Sequence, residues 1–180
     1  YDTNGLRPSE PNIVNYIDTV QIKSDIQSAR QMKPDAIIAC MHWGLEYHSL
    51  PNSSQKKLTD WLIDQGVDHV IGTHPHVVQP MEVRPSKHHP SQHLIVYSLG
   101  NFISNMSKEN TDGGAMVKLE LKKLWGITRM KDCSYSLVWT SRPILSKKKN
   151  FEVYPSSFIT KPIKYEEFTP FKRFLDNTRT

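Results

Sequence analysis

The order of apolar and polar residues predicts a helix–strand–helix–strand segment in the first half of the chain. Apolar residues recur at helical spacing over 18–33, and a proline ends that pattern. The next run, DAIIACM at 35–41, is typical of a strand buried on both faces. A second amphipathic helix over 53–65 leads to a second strand, VDHVIG, at 67–72. Two short apolar strands joined by such a helix form a βαβ unit with parallel strands.

The pattern changes after Pro80. The runs MEVRP, LIVYSLG, AMVKLELKK and YSLVWTSRPI predict a second, more antiparallel sheet. A last helix is predicted over 165–175, where Pro170 permits only a kinked or late start. The predicted class is α/β, with a parallel or mixed sheet carrying helices and a second antiparallel sheet. We interpret 1–180 as one domain, with a βαβ half over 1–80 and the second sheet and last helix over 81–180.

Composition and charge exclude several classes of protein. The chain is 37% hydrophobic and 23% charged, which is typical of a globular domain, and no run of about 18 apolar residues is present. The net charge is +5, and one basic cluster at 147–149 is interpreted as an exposed loop. No interleaving of basic and aromatic residues indicates nucleic acid binding. Cys40 lies in an apolar run and is expected in the core.

The start of the chain shows no targeting signal. It is polar and turn-rich and lacks an initiating methionine, so we interpret the sequence as a piece of a longer protein. The missing signal therefore says little about location.

Three histidines follow the two predicted strands of the βαβ unit. His42 comes directly after the first strand, and His74 and His76 come after the second. Ligands of open α/β sheets bind outside the carboxyl ends of the strands, so these side chains are expected to converge. Imidazole suits zinc, manganese and iron, and the nearby Glu46 offers a carboxylate. The spacing predicts a metal or catalytic site.

Other residues near these strand ends leave two interpretations open. Trp43 and Tyr47 could form a wall against which a substrate stacks, or they could pack over the end of the sheet. Asn101, at the end of the run YSLGNF, could line the same rim as a substrate contact. Histidines elsewhere are expected to face solvent, at a strand start or in the loop RPSKHHPSQH: His69, His88, His89 and His93.

Three motifs together resemble a known family. HWGLEY, HVIGTHPHVVQP and YSLGNF occur in this order, and with the lead-in helix and YDTNG they resemble the capsule-synthesis (CapA-type) poly-gamma-glutamate proteins of bacteria. The resemblance covers roughly residues 1–125. That family is similar to the calcineurin-like metallophosphoesterases, whose two-layered β core carries a dinuclear metal site at its strand ends. The fold this implies here is the C-terminal half of such an α/β sandwich.

The resemblance also implies a set of metal ligands. His42 matches the lone histidine of the second half of that fold, and His74 and His76 match its final His-x-His pair, with Pro75 stiffening the turn between them. The first-half ligands are an Asp-x-His, an Asp and an Asn-His, and no such motifs stand upstream of His42. The expected partner is therefore a missing N-terminal half, and a dinuclear site is expected only with it.

The function implied is the making, anchoring or export of an anionic polymer such as poly-gamma-glutamate. The expected location is the cell envelope or outside the cytoplasm, within a membrane-anchored biosynthesis complex. The chemistry implied is metal-assisted hydrolysis or transfer, with Glu46 as general base or as a residue that orients a ligand. Two rivals are a non-catalytic module that binds the anionic polymer, and a structural half-domain whose histidines only pack. The 180 residues alone are expected to be inactive.

Overall fold

The protein is described by a computed structural model that covers residues 1, 8–87, 91–158 and 164–178. A short 3₁₀ turn, Ser156–Phe158, precedes the last helix. The helices and strands in chain order are α1 Thr19–Gln31, β1 Ile38–His42, α2 Ser53–Asp64, β2 His69–Thr73, β3 Met81–Pro85, β4 Gln92–Val96, β5 Gly113–Leu124, β6 Ile127–Ser141, α3 Pro143–Ser146, β7 Glu152–Pro155 and α4 Tyr165–Thr178.

The first helix has a narrower buried face than its apolar pattern predicted. Asp18 caps α1 by accepting hydrogen bonds from the backbone N–H groups of the first turn. Ile26 is buried in the core beside β1 and β2. Val20 and Met32, predicted on the same inner face, are both exposed. Val20 lies in the first turn of α1 and Met32 is its C-terminal cap, so both stand at the ends of the helix.

The first sheet contains four strands in the order β1-β2-β4-β3. β1, β2 and β4 are parallel, and β3 pairs antiparallel with β4. The runs MEVRP and LIVYSLG, predicted in the second sheet, supply β3 and β4 of this first sheet, so that assignment was wrong. The reason is burial: Ile95 and Val96 have no exposed surface, which places β4 inside the sheet beside β2.

The second sheet is antiparallel, with the order β5-β6-β7. One end of the β5–β6 hairpin packs against α4, where Phe171 and Phe174 contact Leu137 and Trp139. The helix begins at Tyr165 and contains Pro170, so it does not start late. A mixed sheet with helices and a second antiparallel sheet confirm the predicted α/β class. Within the described residues, no helix has both the length and the apolar content that crossing a bilayer requires.

β1 is an edge strand, and one of its faces is open. Ala39 and Met41 face the core formed with α1 and α2, whereas Ile38 is 44% exposed and Cys40 is also exposed. The predictions of a strand buried on both faces and of Cys40 in the core were therefore wrong. Cys40 and Cys133 are both free thiols.

Two histidines outside the predicted site are buried rather than exposed. The Nδ1 atom of His69 accepts a hydrogen bond from the Leu94 backbone N–H at 3.0 Å, and burial lowers the pKa of His69. His93 lies in β4, and its Nδ1 atom is 2.9 Å from the Asp68 carbonyl oxygen. The prediction that both face solvent was wrong, because the pairing of β2 with β4 covers them. His88 and His89 lie outside the described residues.

Candidate metal centre

The parallel pairing of β1 and β2 brings the predicted histidines together. The last paired residues are His42 and Thr73, so both strands end at the same edge of the sheet. The ring centroids of His42 and His74 are 4.4 Å apart, and those of His74 and His76 are 6.0 Å apart. The three imidazoles therefore lie near one another at the carboxyl ends of neighbouring strands, and their binding of a shared metal ion stays a prediction.

The turn that carries two of these rings has an unusual backbone. His74 has a φ of 100° and His76 a φ of 61°, values that are uncommon for residues other than glycine. Each such conformation costs on the order of 1–3 kcal/mol and persists only where surrounding contacts fix it. One of those contacts is the hydrogen bond from the Tyr47 backbone N–H to the carbonyl oxygen of Pro75, at 2.8 Å. The strain lies in the segment that aims the two imidazoles.

Gly72 precedes this turn at a position where no side chain fits. A Cβ atom there would lie 2.1 Å from the Tyr97 carbonyl oxygen and 2.5 Å from Trp43 Nε1. The Trp43 indole donates a hydrogen bond to that carbonyl oxygen at 3.0 Å and is only 2% exposed. Trp43 therefore packs under the end of the sheet, which is the second of its two interpretations, and it has no open face for a substrate.

The ligand atoms that converge most closely belong to Glu46, His74 and His76. One ligand atom from each lies within 4.8 Å of the other two. The Nε2 atom of His76 is 3.9 Å from Glu46 Oε1. His74 is 6% exposed, and the side chains of Glu46 and His76 are about one-third exposed, so the group opens to solvent on one side. His42 flanks this group: its ring stacks on that of Tyr1 and is tilted by 46° against that of His74.

Asn101 determines which ring nitrogen of one of these imidazoles carries a proton. Its amide nitrogen donates to the Thr111 carbonyl oxygen at 2.8 Å, which orients Oδ1 toward His76. That oxygen is 3.0 Å from His76 Nδ1 and can only accept, so Nδ1 carries the proton. The Nε2 atom of His76 then faces Glu46. Such hydrogen bonds to the second ring nitrogen are typical of histidines that bind metals.

Tyr47 lies at the rim of the site. Its ring centroid is 6.0 Å from that of His76, and Lys108 Nζ lies 3.6 Å from the centre of the Tyr47 ring. Partial burial and the neighbouring Glu46 carboxylate raise the pKa of the Tyr47 phenol. An aromatic face and a cation therefore stand beside the converging ligands.

Two buried glutamines hold the loop that carries Glu46. Gln55 Nε2 donates to Gln79 Oε1 at 2.9 Å, and Gln79 Nε2 donates to the carbonyl oxygens of His48 and Leu50. Both glutamines are 2% exposed. Sequence reasoning assigned them no role. The capping-box pattern of Asn52 and Gln55, at the start of α2, is the sequence signal that could have identified one of them.

The donor set fits a divalent transition metal. One carboxylate and two imidazoles are ligands that zinc, manganese and iron accept, and a three-residue set leaves coordination positions for water or substrate. Among the described residues, Glu46, His74 and His76 are the acidic, histidine or cysteine side chains whose ligand atoms lie close enough together to hold an ion.

Two curated relatives are similar to this chain. "PGA biosynthesis protein CapA" of Bacillus subtilis (strain 168) is 34% identical over 122 residues, which cover 68% of this chain and 28% of the relative. "Capsule biosynthesis protein CapA" of Bacillus anthracis is 32% identical over 99 residues, covering 55% of this chain and 23% of that relative. The chain thus spans about a quarter of the length of these relatives. No solved structure matches it.

A family model also matches the chain. Residues 2–106 match the model described as bacterial capsule synthesis protein PGA_cap, and this match includes the converging ligands and the Asn101 contact. Because it covers more than half of the 180 residues, the chain is a member of the bacterial capsule synthesis protein PGA_cap family.

Proposed function

We propose that this chain carries the histidine-bearing part of a divalent metal site in a capsule biosynthesis protein. The reaction proposed is hydrolysis or transfer on a cell-surface anionic polymer, such as poly-gamma-glutamate, or on a phosphoester. The observation that supports it most directly is the convergence of Glu46, His74 and His76. The printed names of the two relatives, which refer to capsule and PGA biosynthesis, support the class of polymer.

The ligand residues have separate roles in this proposal. His74 and His76 offer imidazole nitrogens, and the contact of Asn101 with Nδ1 leaves Nε2 of His76 available to coordinate a metal ion. Glu46 offers the carboxylate that offsets the charge of a bound cation. A divalent ion in such a site lowers the pKa of a coordinated water and polarises the bond to be broken.

The rim residues suit an anionic substrate. Lys108 lies against the ring of Tyr47 and places a cation beside the ligand group. The net charge of +5 favours the approach of a polyanion through long-range attraction that salt screens. The alternative is a non-catalytic module that binds the polymer. Its affinity for poly-gamma-glutamate would fall as ionic strength rises, and adding metal would produce no turnover.

The proposed partner within the same protein is an upstream half-domain. β1 is an edge strand of apolar residues without a protecting lysine or proline, and its outer face exposes Ile38 and Cys40. Natural proteins cover or charge such edges. An upstream segment that covers this edge would also stand beside His42 at the end of β1. The capsule names of the two relatives support a role at the cell envelope. A membrane-anchored biosynthesis complex is the proposed setting of that role.

Titration of the 180-residue chain with zinc and manganese tests the metal site. We expect His76→Asn to weaken binding by about tenfold or more, since asparagine tolerates the positive φ at this position but removes the imidazole donor. His88→Asn is the control, because the sequence places that histidine in the loop RPSKHHPSQH, away from the strand ends that carry the ligands. Circular dichroism confirms that both variants are folded. Equal metal affinity in the two folded variants would exclude the proposed site.

A further inference from the structure

The long β5–β6 hairpin ends in an apolar tip. Trp125 and Gly126 form its two-residue turn, and Trp125 is 97% exposed. Leu124 and Ile127, paired across the strands just before the turn, are each 49% exposed. None of these side chains belongs to either hydrophobic core among the described residues. The tip therefore presents apolar surface that packing within this chain does not explain.

The turn itself disfavours the residue that occupies it. Trp125 has a φ of 49° and Gly126 a φ of 80°, and positive φ at both central positions is the mark of a type I′ turn. Asparagine or aspartate before glycine is the usual choice there, because a bulky side chain resists the left-handed conformation. An exposed tryptophan at this position opposes the turn and buries nothing, so a contact outside this chain is its simplest explanation.

The residues behind the tip carry opposed positive charges. Lys122 and Arg129 are paired directly across the two strands, where like charges repel. Neither forms an ion pair in the part of the chain that the structure describes, whereas Lys123 pairs with Asp35 and Lys131 with Glu120. An anionic surface would relieve this repulsion.

The spacing of apolar and basic residues matches the depth of a membrane interface. Side chains alternate along a strand, so Lys122 shares a face with Leu124, and Arg129 shares a face with Ile127. Two residues of strand separate the apolar pair from the cationic pair by about 7 Å. Interfacial segments bury their apolar side by about 5–10 Å, with cations at the level of the lipid headgroups. Tryptophan is enriched at that boundary.

We propose that the tip of the β5–β6 hairpin binds an anionic lipid bilayer, inserting Trp125 with its apolar neighbours and placing Lys122 and Arg129 on the lipid phosphates. A soluble polyanion would use the two cations but would gain nothing from an exposed tryptophan. A purely apolar protein partner would gain nothing from the opposed cations. The proposal goes beyond the metal site and does not depend on it.

The orientation of the hairpin would leave the proposed metal site accessible when the protein is bound to a bilayer. Lys123 pairs with Asp35, which precedes β1, so this part of the hairpin lies toward the amino ends of the first sheet. The converging ligands lie at the carboxyl ends of the same sheet. Contact of the tip with a bilayer would therefore leave the ligand group away from the lipid.

Co-sedimentation with vesicles tests the proposal. The 180-residue chain is mixed with vesicles of equal parts phosphatidylglycerol and phosphatidylcholine, or of phosphatidylcholine alone, at low and high salt. We expect binding to the anionic vesicles that weakens with salt, and a blue shift of tryptophan emission that brominated lipid quenches. Of the four tryptophans, Trp43 and Trp139 are buried and Trp61 is half-buried, so loss of the shift in Trp125→Asn is what assigns it to Trp125.

Three variants identify the contact. Trp125→Asn suits the type I′ turn, so the hairpin should fold at least as well, yet we expect vesicle affinity to fall about tenfold or more. Lys122→Gln/Arg129→Gln should weaken binding to a similar extent and remove most of its salt dependence. Lys147→Gln/Lys149→Gln removes the same charge from an exposed loop and should change affinity by no more than about twofold.

Several results would overturn the proposal. They are no binding to anionic vesicles, equal binding to both kinds of vesicle, or full affinity in folded Trp125→Asn. Binding of soluble poly-gamma-glutamate that depends on Lys122 and Arg129, with no binding to vesicles, would assign the hairpin to the polymer instead. Zinc titration of each variant should match that of the parent chain, which separates the hairpin from the proposed metal function.

Discussion

At the level of single residues, Glu46 is the side chain whose role is most open to experiment. Its carboxylate converges with the nitrogens of His74 and His76, which suits a metal ligand, and it is exposed enough to accept a proton from a bound water. In a metal-replete full-length protein, we expect Glu46→Gln to lower hydrolytic turnover by about 100-fold or more, since the amide neither offsets cation charge nor accepts a proton.

Parallel measurements on Glu46→Gln separate the two roles. A loss of turnover together with a loss of metal affinity assigns Glu46 as a ligand, whereas a loss of turnover at unchanged affinity assigns a general base. Glu109→Gln is a control that removes a carboxylate outside the converging group. Unchanged turnover in Glu46→Gln would remove this residue from the mechanism and leave a structural carboxylate.

The residues that the sequence located correctly are those whose position follows from strand ends alone. His42, His74 and His76 converge because parallel neighbours end at one edge of a sheet. The contact between Asn101 and His76 depends on a loop that places the Thr111 carbonyl oxygen beside the Asn101 amide nitrogen. Neither motif spacing nor hydrophobic periodicity predicts that arrangement. Trp43 was ambiguous because an aromatic residue after a strand packs or faces a ligand according to its neighbours.

At the level of secondary structure elements, a polar network ties β3 and β4 to α2. Arg84 donates to the Tyr97 hydroxyl oxygen at 2.8 Å and forms ion pairs with Glu82 and Asp60. Burial of Tyr97, with the nearby Glu82 carboxylate, raises its pKa to about 12. The ordinary value is 10.0, so the folded state holds the neutral phenol more strongly than the unfolded chain does.

This difference predicts a loss of stability in alkali that depends on Tyr97. A raised pKa in the folded state stabilises fully below pH 10 and is lost as pH rises from about 10 to about 12. Tyr97→Phe should be about 1 kcal/mol less stable than the parent at pH 8, because a buried hydrogen bond is lost. The gap should narrow toward pH 12, since the variant has no phenol to ionise at this position.

Urea unfolding at pH 8 and at about pH 11.5 measures both effects. Tyr135→Phe is the matched control, because it removes a phenol whose ring is more than half exposed. A gap between Tyr97→Phe and the parent that stays constant over this range would mean that Tyr97 ionises equally easily in the folded and unfolded chains.

The elements predicted best are those with one buried face and clear ends. The apolar residues of α2 recur at helical spacing, and this pattern ends at Gly66, whose φ is 92°. The apolar run after Gly66 predicted β2. The patterns of β3 and β4 did not predict which sheet these strands join, because the same alternation of apolar and polar residues suits a strand in either sheet. Burial of His69 and His93 follows from that pairing and was missed with it.

At the level of the whole molecule, the proposed site has ligands for one metal ion and not for two. Glu46 is its single carboxylate, and no other acidic side chain of the described residues joins it. A second divalent ion needs a bridging or terminal carboxylate to offset its charge. The net charge of +5 adds to that cost, although salt screens surface charge over about 8–10 Å.

We therefore expect the 180-residue chain to bind at most one weakly held ion and to show no appreciable phosphodiesterase activity. A longer protein that includes the upstream half should bind a second ion, because the proposed partner covers the open edge of β1 beside His42. Calorimetric titration with zinc and manganese gives the stoichiometry of both forms, and a generic phosphodiester substrate gives the turnover. Two tightly bound ions, or rapid turnover, in the 180 residues alone would show that the complete site lies within this chain and that no upstream ligands are needed.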